Sequence, residues 1–140
     1  MNPLNYETIG SGMSTSEYLI DTNILIYHIK GSQPATDLIT NLIVQHSFNI
    51  SILTKIEFLG WDKHTSDGFE KCNRLIENAN IYPVDDNITS KAIELKRRVK
   101  IKLADAVIAA TALLNNLKLV TKNVDDFKGI EGLELENPFK

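Results

Sequence analysis

The sequence predicts an α/β domain of three layers, with a central, mostly parallel sheet of four to five strands covered by helices on both faces. Short apolar runs alternate with segments whose apolar residues recur three or four apart, which is the signature of strands joined by helical crossovers. The runs are nearly continuous in apolar character, as strands buried on both faces require. A length of 140 residues with 43% hydrophobic and 24% charged content supports one cored domain rather than two.

Taken in order, residues 1–16 are polar and contain Gly and Ser, and are expected to form a mobile extension, with Met13 as an alternative start. A single domain is expected over 17–140. Residues 18–20 form the first strand, and Asp21-Thr22-Asn23 offers helix caps for the helix begun by Ile24. Gly31 and Ser32 stop it, Pro34 opens the next, and Leu38, Ile39, Leu42 and Ile43 share one face. Residues 48–52 alternate like a strand, and the segment from Thr54 to Glu57 starts a helix whose first turn carries Glu57. Asp67 and Gly68 precede a helix with Phe69, Cys72, Leu75 and Ile76 on one face, and residues 80–82 make a third strand. Asp85 and Asp86 initiate a helix bearing Ile88, Ala92, Leu95 and Val99; another helix covers 104–115, a fourth strand 118–121, and a fifth 133–135.

Several functions are excluded at this level. The N-terminal stretch lacks a basic segment and an apolar core, so it is neither a secretory signal nor a membrane anchor, and the longest apolar tract, 106–114, is far short of a membrane span. The lone cysteine, Cys72, permits no internal disulfide and fits a reducing, cytoplasmic setting; its helical spacing marks it as a packing residue. His28, His46 and His64 lack the spacing of zinc ligands. A net charge of −3 argues against bulk coating of nucleic acid, yet leaves room for a nucleic-acid enzyme with a local basic patch.

The informative pattern is acidic. Asp21 ends the first strand, Glu57 follows the second, Asp105 begins the helix before the fourth, and Asp126 lies just after the fourth. With the first strand central, all four positions open on the carboxyl edge of the sheet, where doubly wound folds gather ligands. Carboxylates crowded without a Lys or Arg between them raise one another's pKa values, and a divalent cation removes that cost. Oxygen-only donors favour Mg²⁺ or Mn²⁺, which can activate water and neutralise a phosphodiester in flight.

Each acid also has a purely structural explanation. Asp21 could cap its helix, although Thr22 and Asn23 could do so too. Glu57 could close a capping box with Thr54, and Asp105 could answer the helix dipole. Asp126 competes with its neighbour Asp125 for the role of solvated loop acid. The basic run Lys96, Arg97, Arg98, Lys100, Lys102 has an ordinary reading as a solvated helix face, and a functional one, for Arg97, Arg98, Lys100 and Lys102, as a grip on an RNA backbone.

Four segments, YLIDTNILIY at 18–27, SILTKIEFLGW at 51–61, KLADAVIAA at 102–110 and LVTKNVDDF at 119–127, resemble in order and spacing the successive motifs of VapC-type PIN-domain toxins. The resemblance covers nearly all of the chain after the extension. It implies a PIN-like fold, Mg²⁺ or Mn²⁺ held by Asp21 and Asp105, Glu57 completing the acidic pocket, and endonucleolytic cleavage of RNA. It also implies a small antitoxin partner, and often a homodimer. Two departures stand out: Asn123 replaces an acid carried by many relatives, so that Asp126 must reach the site while Asn123 and Thr121 hold the loop or a water, and Ala104 replaces a familiar Pro. Asn23 completes the first motif as a supporting residue.

Three other functions compete. An aspartyl-nucleophile phosphatase needs a second Asp two residues after the first, where this chain has Asn23. A response-regulator-like domain needs paired acids by the first strand. A non-catalytic PIN-like module that binds RNA or protein fits the altered fourth position but not the three retained acids.

Overall fold

The computed structural model describes residues 17–140; the expected mobile extension, 1–16, lies outside the described residues. The elements are β1 (Glu17–Ile20), α1 (Thr22–Ile29), α2 (Gln33–Val44), β2 (Phe48–Ser51), α3 (Ile52–Leu59), α4 (Ser66–Ile76), β3 (Asn80–Tyr82), α5 (Asp86–Arg98), α6 (Leu103–Leu114), β4 (Leu117–Val120) and β5 (Leu135–Glu136). A short 3-10 helix, Val124–Phe127, follows β4.

All five strands are parallel, in the order β3-β2-β1-β4-β5. Alternation along a strand sends successive side chains to opposite faces, and here both faces are covered. On β1 and β4, Leu19 and Leu119 face one core with Ile88, Leu95, Ala106 and Ile108 of α5 and α6. Their neighbours Ile20 and Val120 face the other, with Ile24, Ile39, Phe48, Ile50 and Phe58. Three layers result, as the sequence predicts. The α6 helix is buried from Ala106 through Ala112, and its alanines let α5 and the sheet approach closely.

Local chemistry explains most element ends. Gly31 adopts φ +88° just after α1, a left-handed conformation suited to glycine, and Pro34 sits in the first turn of α2. Asp85 Oδ1 accepts from Ile88 N at 2.8 Å and caps α5. Both faces of β2 are buried, its polar residues included: Asn49 donates to Tyr18 O at 2.9 Å and accepts from Asn80 Nδ2 at 2.9 Å, while Ser51 accepts from Leu53 N at 3.1 Å. Two expectations need correction. Ser51 is therefore the cap of α3, which starts at Ile52 rather than Thr54. The apolar face of α4 rests on Cys72 and Ile76, with Phe69 42% exposed, and its cap is Thr65.

Because β1 leads to β2 on one side while β4 lies on its other side, the carboxyl ends of β1 and β4 bound a crevice at the sheet's switch point. The buried face of α6 has no room for added volume. Ala109→Leu is expected to cost about 1–3 kcal/mol in urea denaturation, with loss of a sharp transition if the α5 and α6 layer separates.

Candidate active site

The crevice is built around one buried carboxylate. Asp21 leaves β1 with its backbone N still bonded to Val120 O at 2.9 Å, then caps α1 by accepting from Thr22 N at 2.8 Å on Oδ1. Its Oδ2 accepts from Thr121 Oγ1 at 2.8 Å and from Asn23 Nδ2 at 3.1 Å. Capping is thus a true role of Asp21, and Thr22 and Asn23 are not spare caps, because their side chains point to other tasks. Asn23 also donates to Thr121 Oγ1 at 3.2 Å and accepts from Lys122 N at 3.2 Å, while Thr121 Oγ1 accepts from Asn123 N at 3.0 Å. Thr121 is fully buried and Asp21 only 6% exposed. These bonds tie the end of β1 to the loop after β4.

Burial pushes the Asp21 carboxyl up to about 6, against the lowering effect of its Thr121 and Thr22 hydrogen bonds, and repulsion from Asp105 and Glu57 adds to the rise. Asp105, on the first turn of α6, is also raised, first by burial and then by repulsion from Asp126 and Glu57, while Lys102 pulls it down. Glu57 lies past the middle of α3, not on its first turn, so the Thr54 capping box does not form. Instead Glu57 Oε1 accepts from Thr22 Oγ1 at 2.7 Å, and the Thr54 hydroxyl lies 3.3 Å from that of Thr22. One turn of α1 therefore holds two acids: its cap Asp21 and, through Thr22, Glu57.

Asp21, Glu57, Asp105 and Asp126 line one cavity, with Thr22, Asn23, Ile26, Trp61 and Asn123 completing its wall. No Lys or Arg lines it. Asp126 and Asn123 both reach it from the loop after β4, whereas Asp125 pairs with Lys128 at 2.8 Å and lies outside it. Among the described residues, no three His, Cys, Asp or Glu side chains stand close enough to enclose a metal by themselves. The donor set still suits a hard cation: its acids repel one another, none is neutralised by a cation inside the cavity, and Mg²⁺ commonly takes one or two carboxylates and keeps several waters.

A second cleft adjoins the first and shares Asp105 and Asp126 with it. Its other walls are Lys96, Lys100, Ile101, Lys102, Asp125 and Lys128. The basic run divides here: Lys100 and Lys102 face the acids, whereas Arg97 and Arg98 line a separate groove with Ser90, Ile93 and Glu94. Arg98 Nε stands 3.7 Å from Glu94. The histidines serve local packing: His28 Nδ1 meets Thr36 Oγ1 at 2.9 Å, and His64 Nε2 meets Phe58 O at 2.7 Å. Sequence reasoning missed Ile26 and Lys128; it places Lys96 in the basic run, Thr22 among the helix caps, and Trp61 in the core or an apolar contact surface rather than in this cavity. Trp61 lies beyond the end of α3, so the spacing of that helix carries no signal for it.

The PIN-domain family model matches residues 18–133. The chain is 31% identical over 126 residues to ribonuclease VapC10 of Mycobacterium tuberculosis, covering 86% of this chain and 92% of that protein. In structure it is similar to a toxin–antitoxin complex from Klebsiella pneumoniae, with TM-score 0.74 and 30% identity over 89% of this chain and 99% of the other. It is also similar to VapBC2 from Rickettsia felis bound to a promoter DNA fragment, with TM-score 0.73 and 26% identity over 86% and 97%. A continuous match over the described fold, together with a relative of this identity and coverage, establishes that the chain belongs to the PIN-domain family, among its VapC ribonucleases.

Proposed function

We propose that this protein is a Mg²⁺- or Mn²⁺-dependent endoribonuclease and the toxin of a toxin–antitoxin pair. The observation that carries the reading is the single cavity into which four carboxylates from four separate chain segments converge without a Lys or Arg among them. Asp21 and Asp105 are assigned as the direct metal ligands, Glu57 and Asp126 as the auxiliary carboxylates, and Asn23, Thr121 and Asn123 as the residues that hold the loop. When bound, the metal supplies a Lewis acid that neutralises phosphodiester charge and acidifies water. The rest falls to the chain. Thr121 and Asn23 fix the Asp21 carboxylate in one orientation, and Thr22 directs Glu57 into the cavity, where it can orient a water for in-line attack. Asp21, with both oxygens engaged by protein donors, is held as a ligand, and Asn23 offers no acid to a leaving group, which disfavours the aspartyl-phosphatase alternative.

The lysine-walled cleft supports a path for RNA phosphates away from the acids. Lys100 and Lys102 are assigned to that path and Arg97 and Arg98 to the solvent-facing groove. A small antitoxin partner is proposed from the toxin–antitoxin complexes among the structural neighbours. Large exposed apolar side chains close in sequence to the acids, Ile56 (61% exposed) and Leu103 (68% exposed), are consistent with a covering partner or a homodimer. Among the described residues no helix is long and apolar enough to cross a membrane, and the free, buried Cys72 suits a cytoplasmic setting.

Cleavage of a panel of structured RNAs, with the protein freed of any partner, tests the reading. Wild type is expected to cut only with Mg²⁺ or Mn²⁺, and Asp21→Asn and Asp105→Asn to lose cutting by about 100-fold or more. Equal cutting by the variants would refute it. In filter binding, Lys100→Ala with Lys102→Ala is expected to flatten the salt dependence of RNA affinity by about two phosphate contacts, and Arg97→Ala with Arg98→Ala to leave it unchanged.

The buried charge also links metal, pH and stability. The folded-state pKa of Asp21, about 6, exceeds its ordinary 3.8, so the folded chain holds the proton more tightly than the unfolded chain. Its contribution to metal-free stability is fully present below about pH 4 and is lost as pH rises through about 6. In chelator at pH 7.5, Asp21→Asn is expected to be about 1–3 kcal/mol more stable than wild type, an advantage that vanishes near pH 4. Mg²⁺ should raise the melting temperature of wild type and not of the variant; equal shifts would remove Asp21 from the metal site.

A further inference from the structure

Two residues of the acidic cavity have no part in holding acids or metal, Ile26 and Trp61, and of these Trp61 presents a half-buried aromatic ring. On the nuclease reading, we propose that the Trp61 indole is a stacking platform for an unpaired RNA base adjacent to the phosphate at the carboxylates.

Carboxylates gain nothing from an apolar wall. A nucleotide does, because it presents a charged phosphate and a flat base within one residue's length, and base-on-aromatic contact serves single-stranded RNA. Trp61 is also held ready for such a contact. Helix α3 ends at Leu59, and Gly60 turns the chain: a Cβ there would stand 2.7 Å from the Ile56 carbonyl oxygen, so only glycine fits without a shift. The His64 ring meets the indole edge-to-face at 5.1 Å and 81°, and meets the fully buried Phe58 at 5.7 Å and 90°. His64 Nε2, 2.7 Å from Phe58 O, donates to it, which fixes the ring in one tautomer with Nδ1 turned toward Cys72 Sγ at 3.9 Å. A rigid chain of contacts thus runs from the core to the indole. Lys30 Nζ lies over the indole, 5.9 Å from its centroid, a cation–π contact that adds to its support.

The consequence is a substrate class. RNA must offer an unpaired base beside the cut, in a loop, bulge or single strand, because a base within a duplex is already stacked on both faces. The acids, the indole and the lysine cleft then define a strand path with the base on one flank and the phosphates on the other.

Kinetics on a short single-stranded RNA with a mapped cut site tests the proposal, using the full chain, Trp61→Phe and Trp61→Leu, and RNAs made abasic at each position flanking the cut. Trp61→Leu is expected to raise KM about 10- to 100-fold with kcat nearly unchanged, and Trp61→Phe to recover most of the loss. One abasic position should impose a similar loss on wild type and no further loss on Trp61→Leu, which a merely structural tryptophan would not produce. If wild type cuts while Trp61→Leu keeps its KM, or the abasic penalty is the same in both, the stacking role is overturned and the nuclease reading stands; if wild type cuts no RNA, the nuclease reading itself fails. Trp61 is the sole tryptophan of the chain, so its emission gives a second reading should Trp61→Leu not fold. In the Asp105→Asn chain, RNA bound to saturation by anisotropy should quench and shift that emission. Unchanged emission, or a Trp61→Leu chain that loses a protein partner while cutting normally, overturns the proposal.

Discussion

The hydrogen bond from Thr121 to Asp21 is the contact on which the site depends. It joins two residues that leave adjacent parallel strands, and it does so in a place where a lone carboxylate is costly. Burial raises the affinity of Asp21 for a proton, and the three donors around it, Thr22 N, Thr121 Oγ1 and Asn23 Nδ2, offset that cost only in part. The remaining strain is electrostatic, shared with Asp105 and Glu57, and a bound cation is its natural relief. The sheet explains why the strain can persist: β1 is flanked on both sides, both of its faces are covered, and the ladder continues through Asp21 N to Val120 O.

Around that fixed point the other acids are held with graded stiffness. Asp105 rides on α6, the most completely buried helix, so its position is set by the core. Glu57 is on the exposed side of α3 but is oriented through Thr22. Asp126 stands on a short 3-10 turn after β4 and is exposed, sharing its loop with Asn123. Such an arrangement gives a rigid side at Asp21 and Asp105 and a more adaptable side facing the lysine cleft.

Much of this was legible in the sequence, and for identifiable reasons. Strands with both faces buried leave continuous apolar runs, and helices leave their three- and four-residue spacing, so layer order and the common edge of the acids followed directly. Hydrogen-bonded polar residues in the interior were less legible. Asn49 gives β2 an alternating pattern although both its faces are buried, because its partners come from other strands and leave no local signature, and Ser51 displaced Thr54 as cap of α3. The division of the basic run was hidden for a similar reason. Arg97 and Arg98 are close in sequence to Lys100 and Lys102, yet α5 ends at Arg98 and the chain turns before Lys100, sending the two pairs to different surfaces.

The Asp21 to Thr121 contact spans a hundred residues, which has a consequence for the order of synthesis. A ribosome that has made β1, α1 and α3 has already emitted Asp21, Thr22 and Glu57, but not the strand that orients the first of them. Parallel pairing of β4 against β1 must wait for α5 and α6 to be made and docked, since the crossover cannot be shortened. The carboxylates therefore become a site only when the chain is nearly finished. An enzyme that cuts RNA is by this topology kept incomplete while it is still attached to the RNA that encodes it.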